Sequence, residues 1–286
     1  MDNRLPPQPL EWIDRNAGIT VKVEGRTVKG FAGDTITSMM LANGERLVGR
    51  SFKYHRRRGV LSFANHDINA LFEDAKGTNI RGDVTGVSDG MDLYPTNISG
   101  SLARDRLQIL GWMAPFLPVG FYYKAFHTPK ALFPFWEKWI RKLAGLGRVA
   151  VQTPLNRISK RYLHTDVLVV GSGPAGMAAA LAAAGEGAKV VLVDENPHLG
   201  GSLDYQYSND SEAALERDNL KCKIFQAPEI DVILGGEASG YYADHWTPVT
   251  TADGIVKIRS LATVFATGVF EQPAVFHNND LPGVLL

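Results

Sequence analysis

The residues best suited to chemistry in this chain are three glycines that follow a short apolar run. Residues 167–170 predict a buried strand, and Gly171, Gly173 and Gly176 follow it in a G-x-G-x-x-G spacing. In that pattern the first glycine permits a tight turn, the second lets the backbone approach a pyrophosphate, and the third allows close packing of helix and strand. The pattern therefore predicts a dinucleotide site at a helix N-terminus, where free N–H groups and the helix dipole favour phosphate.

An acidic residue follows at the spacing expected for a ribose contact. The alanine-rich residues 178–184 predict a helix, and residues 190–193 predict a second buried parallel strand. Asp194 ends that strand, 23 positions after Gly171. A carboxylate there accepts hydrogen bonds from ribose hydroxyls and repels a 2′-phosphate, so FAD or NAD is favoured over NADP. Glu195 is expected to point the other way because strand side chains alternate. A β–α–β unit that binds nothing is the alternative.

Two later stretches are expected to approach the same dinucleotide. Gly200 and Gly201 would let a loop run close to the cofactor, and a predicted strand over 260–265 leads into the small residues 266–268. No catalytic or metal-binding residue is assigned. His55, His127 and His245 have no carboxylate or cysteine at a suitable sequence spacing, so each is expected to be a structural or an exposed histidine.

The composition excludes several classes of protein. The 286 residues include 30 basic and 30 acidic side chains, so no overall field attracts nucleic acid or an anionic membrane. The single cysteine, Cys222, rules out an internal disulfide and an all-cysteine cluster site made by this chain, and suits a cytoplasmic location. The first residues lack the apolar core of a signal peptide. The uncharged run over 107–123 is short for a membrane span and contains prolines.

Residues 1–100 form the first predicted domain. A hairpin over 19–23 and 27–31 is followed by a helix that Asp34 could cap and that ends at Asn43 and Gly44. This order is typical of a β-grasp, ferredoxin-like domain. The loop over 47–59, where a ferredoxin carries closely spaced cysteines, has none, so a domain without an iron–sulfur cluster is predicted. The basic run over 53–58 is interpreted as a solvated or subunit-facing strand rather than a nucleic-acid patch.

Two further segments complete the predicted organisation. Residues 101–163 are an aromatic and proline-rich connecting and interface segment that includes an amphipathic helix beginning near Phe133. Residues 164–286 form a Rossmann-type FAD/NAD(P)-binding domain that is incomplete at its C-terminus. The predicted fold class is thus α/β and α+β, with a cysteine-free β-grasp ferredoxin-like domain followed by a truncated Rossmann-type domain.

The sequence resembles the N-terminal part of the α subunits of heterotetrameric sarcosine oxidases. The stretches that carry the match are G-D-T at residues 33–35, L-A-N-G at 41–44, G-R-S-F-K-Y-H at 49–55, G-F-Y-Y-K at 120–124, the glycine pattern at 171–176, G-Y-Y-A-D-H at 240–245, A-T-G-V-F-E-Q-P at 266–273 and N-N-D-L-P-G at 278–283. They span nearly the whole chain. Related cyanide synthase and amino-acid dehydrogenase α subunits share the glycine pattern but match less well over 122–139.

The resemblance implies a function within a complex. In that family sarcosine is oxidatively demethylated at FAD in a separate β subunit, electrons pass to FMN and then to oxygen, and glycine, hydrogen peroxide and a one-carbon unit on tetrahydrofolate result. The implied partners are the β, γ and δ subunits, with NAD (or FAD) held in the α subunit and no iron–sulfur cluster. The implied cofactor-binding residues are Gly171, Ser172, Gly173, Pro174, Ala175, Gly176, Asp194, Glu195, Gly200, Gly201, Thr267 and Gly268.

The chain stops where that family continues, at residue 286. The folate domain and the second nucleotide-binding lobe are absent from it, so the isolated chain is expected to be inactive. A fragment, a split gene product and a decayed copy all remain open. The alternative functions are a non-catalytic dinucleotide-binding module, or the α subunit of a related amino-acid dehydrogenase or cyanide synthase.

Overall fold

The computed structural model describes residues 3–7, 11–62, 67, 69–116, 120, 128–144, 147, 149, 151, 158–204 and 211–285. The chain divides into two compact units, unit 1 (Met1–Pro154 with Glu271–Leu286) and unit 2 (Leu155–Phe270). Residues 121–124 of the family motif, His127 and parts of the predicted connecting segment lie outside the described residues. Among the described residues, no helix is long and apolar enough to cross a membrane.

Unit 1 contains a five-stranded mixed sheet and a short separate hairpin. The strands are β1 (Asp14–Val23), β2 (Arg26–Ala32), β3 (Gly49–Arg50), β4 (Arg57–Arg58), β5 (Leu71–Glu73), β6 (Ile80–Arg81) and β7 (Asp92–Pro95). The sheet order is β2-β1-β7-β5-β6, with β1 and β7 parallel and the other neighbours antiparallel. The predicted first hairpin is present, and Glu24 and Gly25 turn it with φ angles of 51° and 73°, as a two-residue hairpin turn requires.

Helix α1 (Ile36–Ala42) covers the sheet of unit 1. Ile36, Met39 and Met40 are at most 1% exposed and belong to the same core as the strand residues Val21, Val23 and Phe72. The predicted capping residue was wrong by one position, because Thr35 is the N-cap and forms a reciprocal capping box with Ser38. Asp34 is instead fully buried and pairs with Arg4.

Of the basic run over 53–58, only Arg57 and Arg58 lie in a strand, β4. Strands β3 and β4 are two residues each, and residues 52–54 between them form a turn that brings His55 to a φ of +51°. Extended backbone is excluded at His55 by that angle, since positive φ belongs to the left-handed region. The prediction of an alternating strand was therefore wrong, and the turn buries His55 and Arg50.

The middle of unit 1 contains short 3₁₀ turns and one helix. The 3₁₀ turns cover Arg106–Gly111, Ala114–Phe116 and Lys130–Leu132, and helix α2 covers Phe133–Ala144. The amphipathic helix expected near Phe133 is thus confirmed. Its aromatic residues Phe135 and Trp139 are more than half exposed and pack on each other with ring centroids 6.5 Å apart.

The segment Glu271–Leu286 belongs to unit 1 through ion pairs with strand β4 and the preceding turn. The Arg56 guanidinium donates to Asp280 at 2.7 Å and 2.8 Å, and Arg58 pairs with the same carboxylate. Burial alone would raise the pKa of Asp280, but the hydrogen bond from Arg56 and the charges of Arg58 and Arg56 hold that pKa below its usual value. These pairs therefore anchor the segment while Asp280 is ionised.

Unit 2 is a six-stranded sheet with helices. Its elements are β8 (Ser159–Val170), α3 (Pro174–Gly185), β9 (Val190–Val193), α4 (Ser211–Gln226), β10 (Ile230–Ile233), β11 (Glu237–Ala238), β12 (Trp246–Thr251) and β13 (Gly254–Phe265). The sheet order is β10-β9-β8-β13-β12-β11, in which β10, β9, β8 and β13 are parallel. The predicted strand over 190–193 is fully buried. The sheet thus has a parallel part of four strands, which β12 and β11 extend in antiparallel fashion.

Candidate functional site

The turn from β8 into α3 has a backbone that only glycine accommodates. Gly171 has a φ of +101°, and a Cβ on it would lie 2.2 Å from the carbonyl oxygen of Ala266. A Cβ on Gly176 would lie 1.9 Å from the carbonyl oxygen of Gly171. Both positions are therefore closed to side chains by the protein's own backbone, one by the turn and one by close packing of α3 against the strand end.

Gly173 differs from the other two glycines, because its surroundings are open. Its backbone is extended at φ −66° and ψ 179°, and the nearest atom to a Cβ would be Gly201 Cα at 4.0 Å. The protein itself thus has no steric need for glycine here. Gly173 is the N-cap of α3 without a side-chain cap, and Pro174 and Ala175 begin the helix. The first N–H groups of the helix have no intrahelical acceptor and remain available to a phosphate.

Asp194 is buried at the end of β9 and is already bonded within the protein. Its Oδ2 accepts hydrogen bonds at 2.6 Å from both the backbone N–H and the hydroxyl of Ser172. Its Oδ1 accepts from the backbone N–H of Asn196 at 2.8 Å and from the Asn196 amide at 3.0 Å. Asp194 is 8% exposed, whereas Glu195 is exposed. The carboxylate therefore fixes the glycine turn, and any ribose hydroxyl would compete with the side-chain donors of Ser172 and Asn196.

The structure brings three of the predicted stretches together at the carboxyl end of the parallel strands. Gly200 donates its N–H to the carbonyl oxygen of Ser172 at 3.1 Å, and a Cβ on Gly201 would lie 2.7 Å from Gly173 Cα. On the other side, the backbone nitrogen of Thr267 would lie 3.2 Å from a Cβ on Gly171. Gly268 has a φ of +70° with open space around it. In parallel α/β sheets this edge is where ligands bind.

The loop that follows Gly201 is anchored by one buried acid. Asp204 accepts a hydrogen bond from the Lys221 ammonium at 3.0 Å and lies 3.5 Å from the guanidinium of Arg217, which is itself 4% exposed. Both basic residues are on helix α4. These ion pairs hold the glycine loop on the helix, and sequence reasoning did not identify them.

Unit 1 contains a buried histidine–carboxylate pair that sequence reasoning also missed. His55 Nδ1 lies 2.6 Å from Asp105 Oδ2, and the two side chains are at most 1% exposed. Asp105 Oδ1 accepts from the backbone N–H groups of Ser99 and Leu107, each at 3.0 Å. His55 Nε2 is buried without a hydrogen-bond partner among the described residues, which costs about 1–3 kcal/mol. The pair spans 50 positions in sequence, so no local spacing could reveal it.

This pair lies beside a cavity of about 610 Å³ within unit 1. The residues that line it include His55, Asp105 and several arginines, among them Arg50. The Arg50 guanidinium is buried and donates to the carbonyl oxygens of His55 at 3.1 Å and of Ala103 at 3.2 Å. Burial lowers the pKa of Arg50, although the charge of Asp105 acts to raise it. The wall of the cavity is therefore both rigid and cationic.

The chain is similar to curated sarcosine oxidase α subunits over almost its full length. It is 38% identical to the subunit of Rhizobium meliloti (strain 1021), and the alignment covers 99% of this chain and 31% of that subunit. It is 30% identical to that of Corynebacterium sp. (strain P-1), covering 99% of this chain and 27% of the subunit. The chain is a relative of sarcosine oxidase α subunits. The predicted resemblance is thereby confirmed, and the chain spans about a third of the length of these relatives.

A solved structure shares the fold. L-proline dehydrogenase from P. horikoshii matches with a TM-score of 0.61 at 19% identity, covering 96% of this chain and 46% of that one. In addition, residues 166–228 match the family of FAD dependent oxidoreductases. The match begins within β8 and extends through α3 and β9, so it includes the glycine turn and Asp194. Unit 2 is accordingly mixed α/β, and its residues 166–228 are similar to that family.

The expectation that this chain carries no iron–sulfur cluster is contradicted by a second family match. Residues 16–97 match a 2Fe-2S iron-sulfur cluster binding domain. The prediction rested on the missing cysteines and on the family resemblance, whereas the pattern of the whole domain matches a cluster-binding family. The matched range still contains no cysteine, since Cys222 lies outside it. Among the described residues, no group of three or more His, Cys, Asp or Glu side chains could hold a metal ion. The residues described thus do not fit a cluster.

Proposed function

We propose that this chain is the dinucleotide-binding part of a sarcosine-oxidase-type flavoenzyme complex and does not contain the amine-oxidising site. The observation that carries the proposal is the similarity to sarcosine oxidase α subunits over 99% of the chain. On this proposal the partners are the other subunits of such an oxidase, which include the one that oxidises the N-methyl group. Unit 1 would be a β-grasp, ferredoxin-like domain, a proposal supported by its sheet order β2-β1-β7-β5-β6.

FAD is the dinucleotide that the family match over 166–228 favours for unit 2. When bound, FAD would supply two-electron redox chemistry. The residues of this chain would bind and orient it. Gly173 would let its backbone approach the pyrophosphate, and the N–H groups of Ala175 and Gly176 at the start of α3 would donate to it. Asp194 would accept from the ribose while holding Ser172 in the turn. The loop at Gly200 and Gly201, with Thr267 and Gly268, would line the opposite side.

The isolated chain should bind FAD but should not oxidise sarcosine. The reason is that the described residues of unit 2 form a cofactor platform, and the amine site is proposed to lie in another subunit. Binding is measured by titration calorimetry, and peroxide by a coupled peroxidase assay with sarcosine. An intact bacterial sarcosine oxidase is the positive control for the peroxide assay. Sarcosine-dependent peroxide from the isolated chain would show that the amine-oxidising site has been assigned to the wrong subunit. Absence of FAD binding would contradict the proposal that unit 2 binds a dinucleotide.

Asp194→Asn should weaken dinucleotide binding by about 1.5–3 kcal/mol, because a charge-assisted acceptor for the ribose is lost. That corresponds to roughly a 10- to 150-fold rise in Kd. The melting temperature should also fall, since an asparagine amide cannot accept all four hydrogen bonds that Asp194 now accepts. Glu186→Gln, which changes an exposed acid at the C-cap of α3 in the same way, is the matched control. Equal losses for both variants in calorimetry would argue against the ribose assignment.

A further inference from the structure

The cavity in unit 1 has no part in the proposed function, yet unpaired positive charge and exposed apolar side chains line it. His55 and Asp105 fix each other in its wall: Asp105 Oδ1 accepts two backbone N–H groups, and its Oδ2 lies 2.6 Å from His55 Nδ1. His55 Nε2 is shut off from solvent, so the imidazole is a fixed part of the wall and not a contact for a ligand.

The backbone at His55 is held in an uncommon conformation. Its φ of +51° lies in the left-handed region, which non-glycine residues adopt mainly where the surrounding structure enforces it. Two bonds enforce it here. The Arg50 guanidinium donates to the His55 carbonyl oxygen at 3.1 Å, and the Nδ1–Asp105 bond fixes the ring. The imidazole and the backbone at residue 55 are therefore fixed parts of the cavity wall.

The free charge on the wall is positive. Arg57 and Arg106 both line the cavity and are exposed. Neither guanidinium has an ion pair among the described residues, whereas Arg56 is paired with Asp280 and Arg50 is bonded to carbonyl oxygens. Two unpaired guanidiniums at one cavity favour a dianionic group such as a phosphomonoester, since each presents several donors in a fixed fork.

The space and the remaining wall describe the rest of the ligand. A volume of about 610 Å³ exceeds what a phosphate needs and is in the range of sites for drug-sized molecules. Ile109 and Trp112 line the cavity and are 55% and 85% exposed. An exposed indole beside arginines offers a flat apolar face to a planar ring. The cavity thus has an anion-binding part and an apolar part.

We propose that this cavity binds a small phosphomonoester that carries a planar, apolar ring. The phosphate lies against Arg57 and Arg106, and the ring contacts Trp112 and Ile109. This site is separate in sequence from the glycine turn of unit 2, and its occupancy does not depend on the dinucleotide proposal.

Phenyl phosphate tests the proposal on the full 286-residue chain. Titration calorimetry should show one saturable site, and the Trp112 indole N–H resonance, assigned with Trp112→Phe, should shift during the titration. Inorganic phosphate should bind about ten-fold more weakly, because it lacks the ring. Arg57→Gln and Arg106→Gln should each raise the Kd for phenyl phosphate by about ten-fold. Both arginines are exposed, so their variants test the site without disturbing the buried core of unit 1.

Arg104→Gln is the matched control, because Arg104 is also exposed, is two positions from Arg106 and does not line the cavity. It should change the Kd by less than about two-fold. An equal loss in the control and in Arg106→Gln would show diffuse attraction and overturn the site. Binding that leaves the Trp112 resonance unmoved would place phenyl phosphate elsewhere, and no saturable binding below about 10 mM would refute the proposal.

Discussion

Gly173→Ala should weaken FAD binding by about ten-fold or more while leaving the melting temperature of the chain unchanged. A Cβ at this position meets only Gly201 Cα at 4.0 Å, and the backbone is extended, so the folded protein accepts alanine without strain. The added methyl group would stand where the pyrophosphate must approach the backbone. Titration calorimetry with FAD, together with thermal unfolding, measures both effects.

Gly185→Ala is the matched control for that experiment. Gly185 lies at the far end of the same helix with no atom within 4 Å of a Cβ, so its replacement should affect neither binding nor folding adversely. Unchanged FAD affinity in Gly173→Ala would mean that no phosphate lies against this turn, and the dinucleotide proposal would have to be abandoned.

Gly176→Ala, in contrast to Gly173→Ala, should destabilise the folded protein. It should lower the free energy of unfolding of unit 2 by about 3 kcal/mol. A Cβ there would lie 1.9 Å from the carbonyl oxygen of Gly171 and 3.3 Å from Ala266 Cβ. The first contact is with backbone, which cannot rotate away, so α3 must move off the strand end. Hydrogen exchange of the amides of β8 and β9 reports this loss for unit 2 specifically.

The same exchange measurement on Gly185→Ala provides the comparison. Alanine within a helix is about 0.5–1 kcal/mol more favourable than glycine, so this variant should be as protected as the parent or slightly more. If Gly176→Ala matched the parent in protection, the close approach of α3 to the turn would not exist in solution.

Local sequence was sufficient for the strand, turn, helix and strand of unit 2 that surround the glycine pattern, but not for α4, β10, β11 and β12. The strand over 190–193 and the helix after Gly173 could be predicted because both are continuous apolar or alanine-rich runs with clear glycine boundaries. The convergence of the loop at Gly200 on Ser172 was also expected, since glycine permits it. The bonds that occupy Asp194 were not, because they depend on the rotamers of Ser172 and Asn196 and not on spacing.

Prediction was less successful for the basic run of unit 1. Alternating aromatic and basic residues over 52–58 resemble a strand, but residues 52–54 form a turn, and Arg50 before it and His55 after it are buried. Burying them is possible only because carbonyl oxygens from residues 102 and 103 and the carboxylate of Asp105 come from 50 or more positions away. Local propensity contains no information about such distant partners.

The sequence by itself determined the glycine turn, the order of strands and helices around it, and the relationship to sarcosine oxidase α subunits. Those properties depend on steric permission and hydrophobic periodicity, which are local to each segment. Only the tertiary structure decided that Gly173 is open while Gly171 and Gly176 are closed, and that His55 faces Asp105 beside a cationic cavity. These are contacts between segments distant in sequence, and they arise only when the chain has packed.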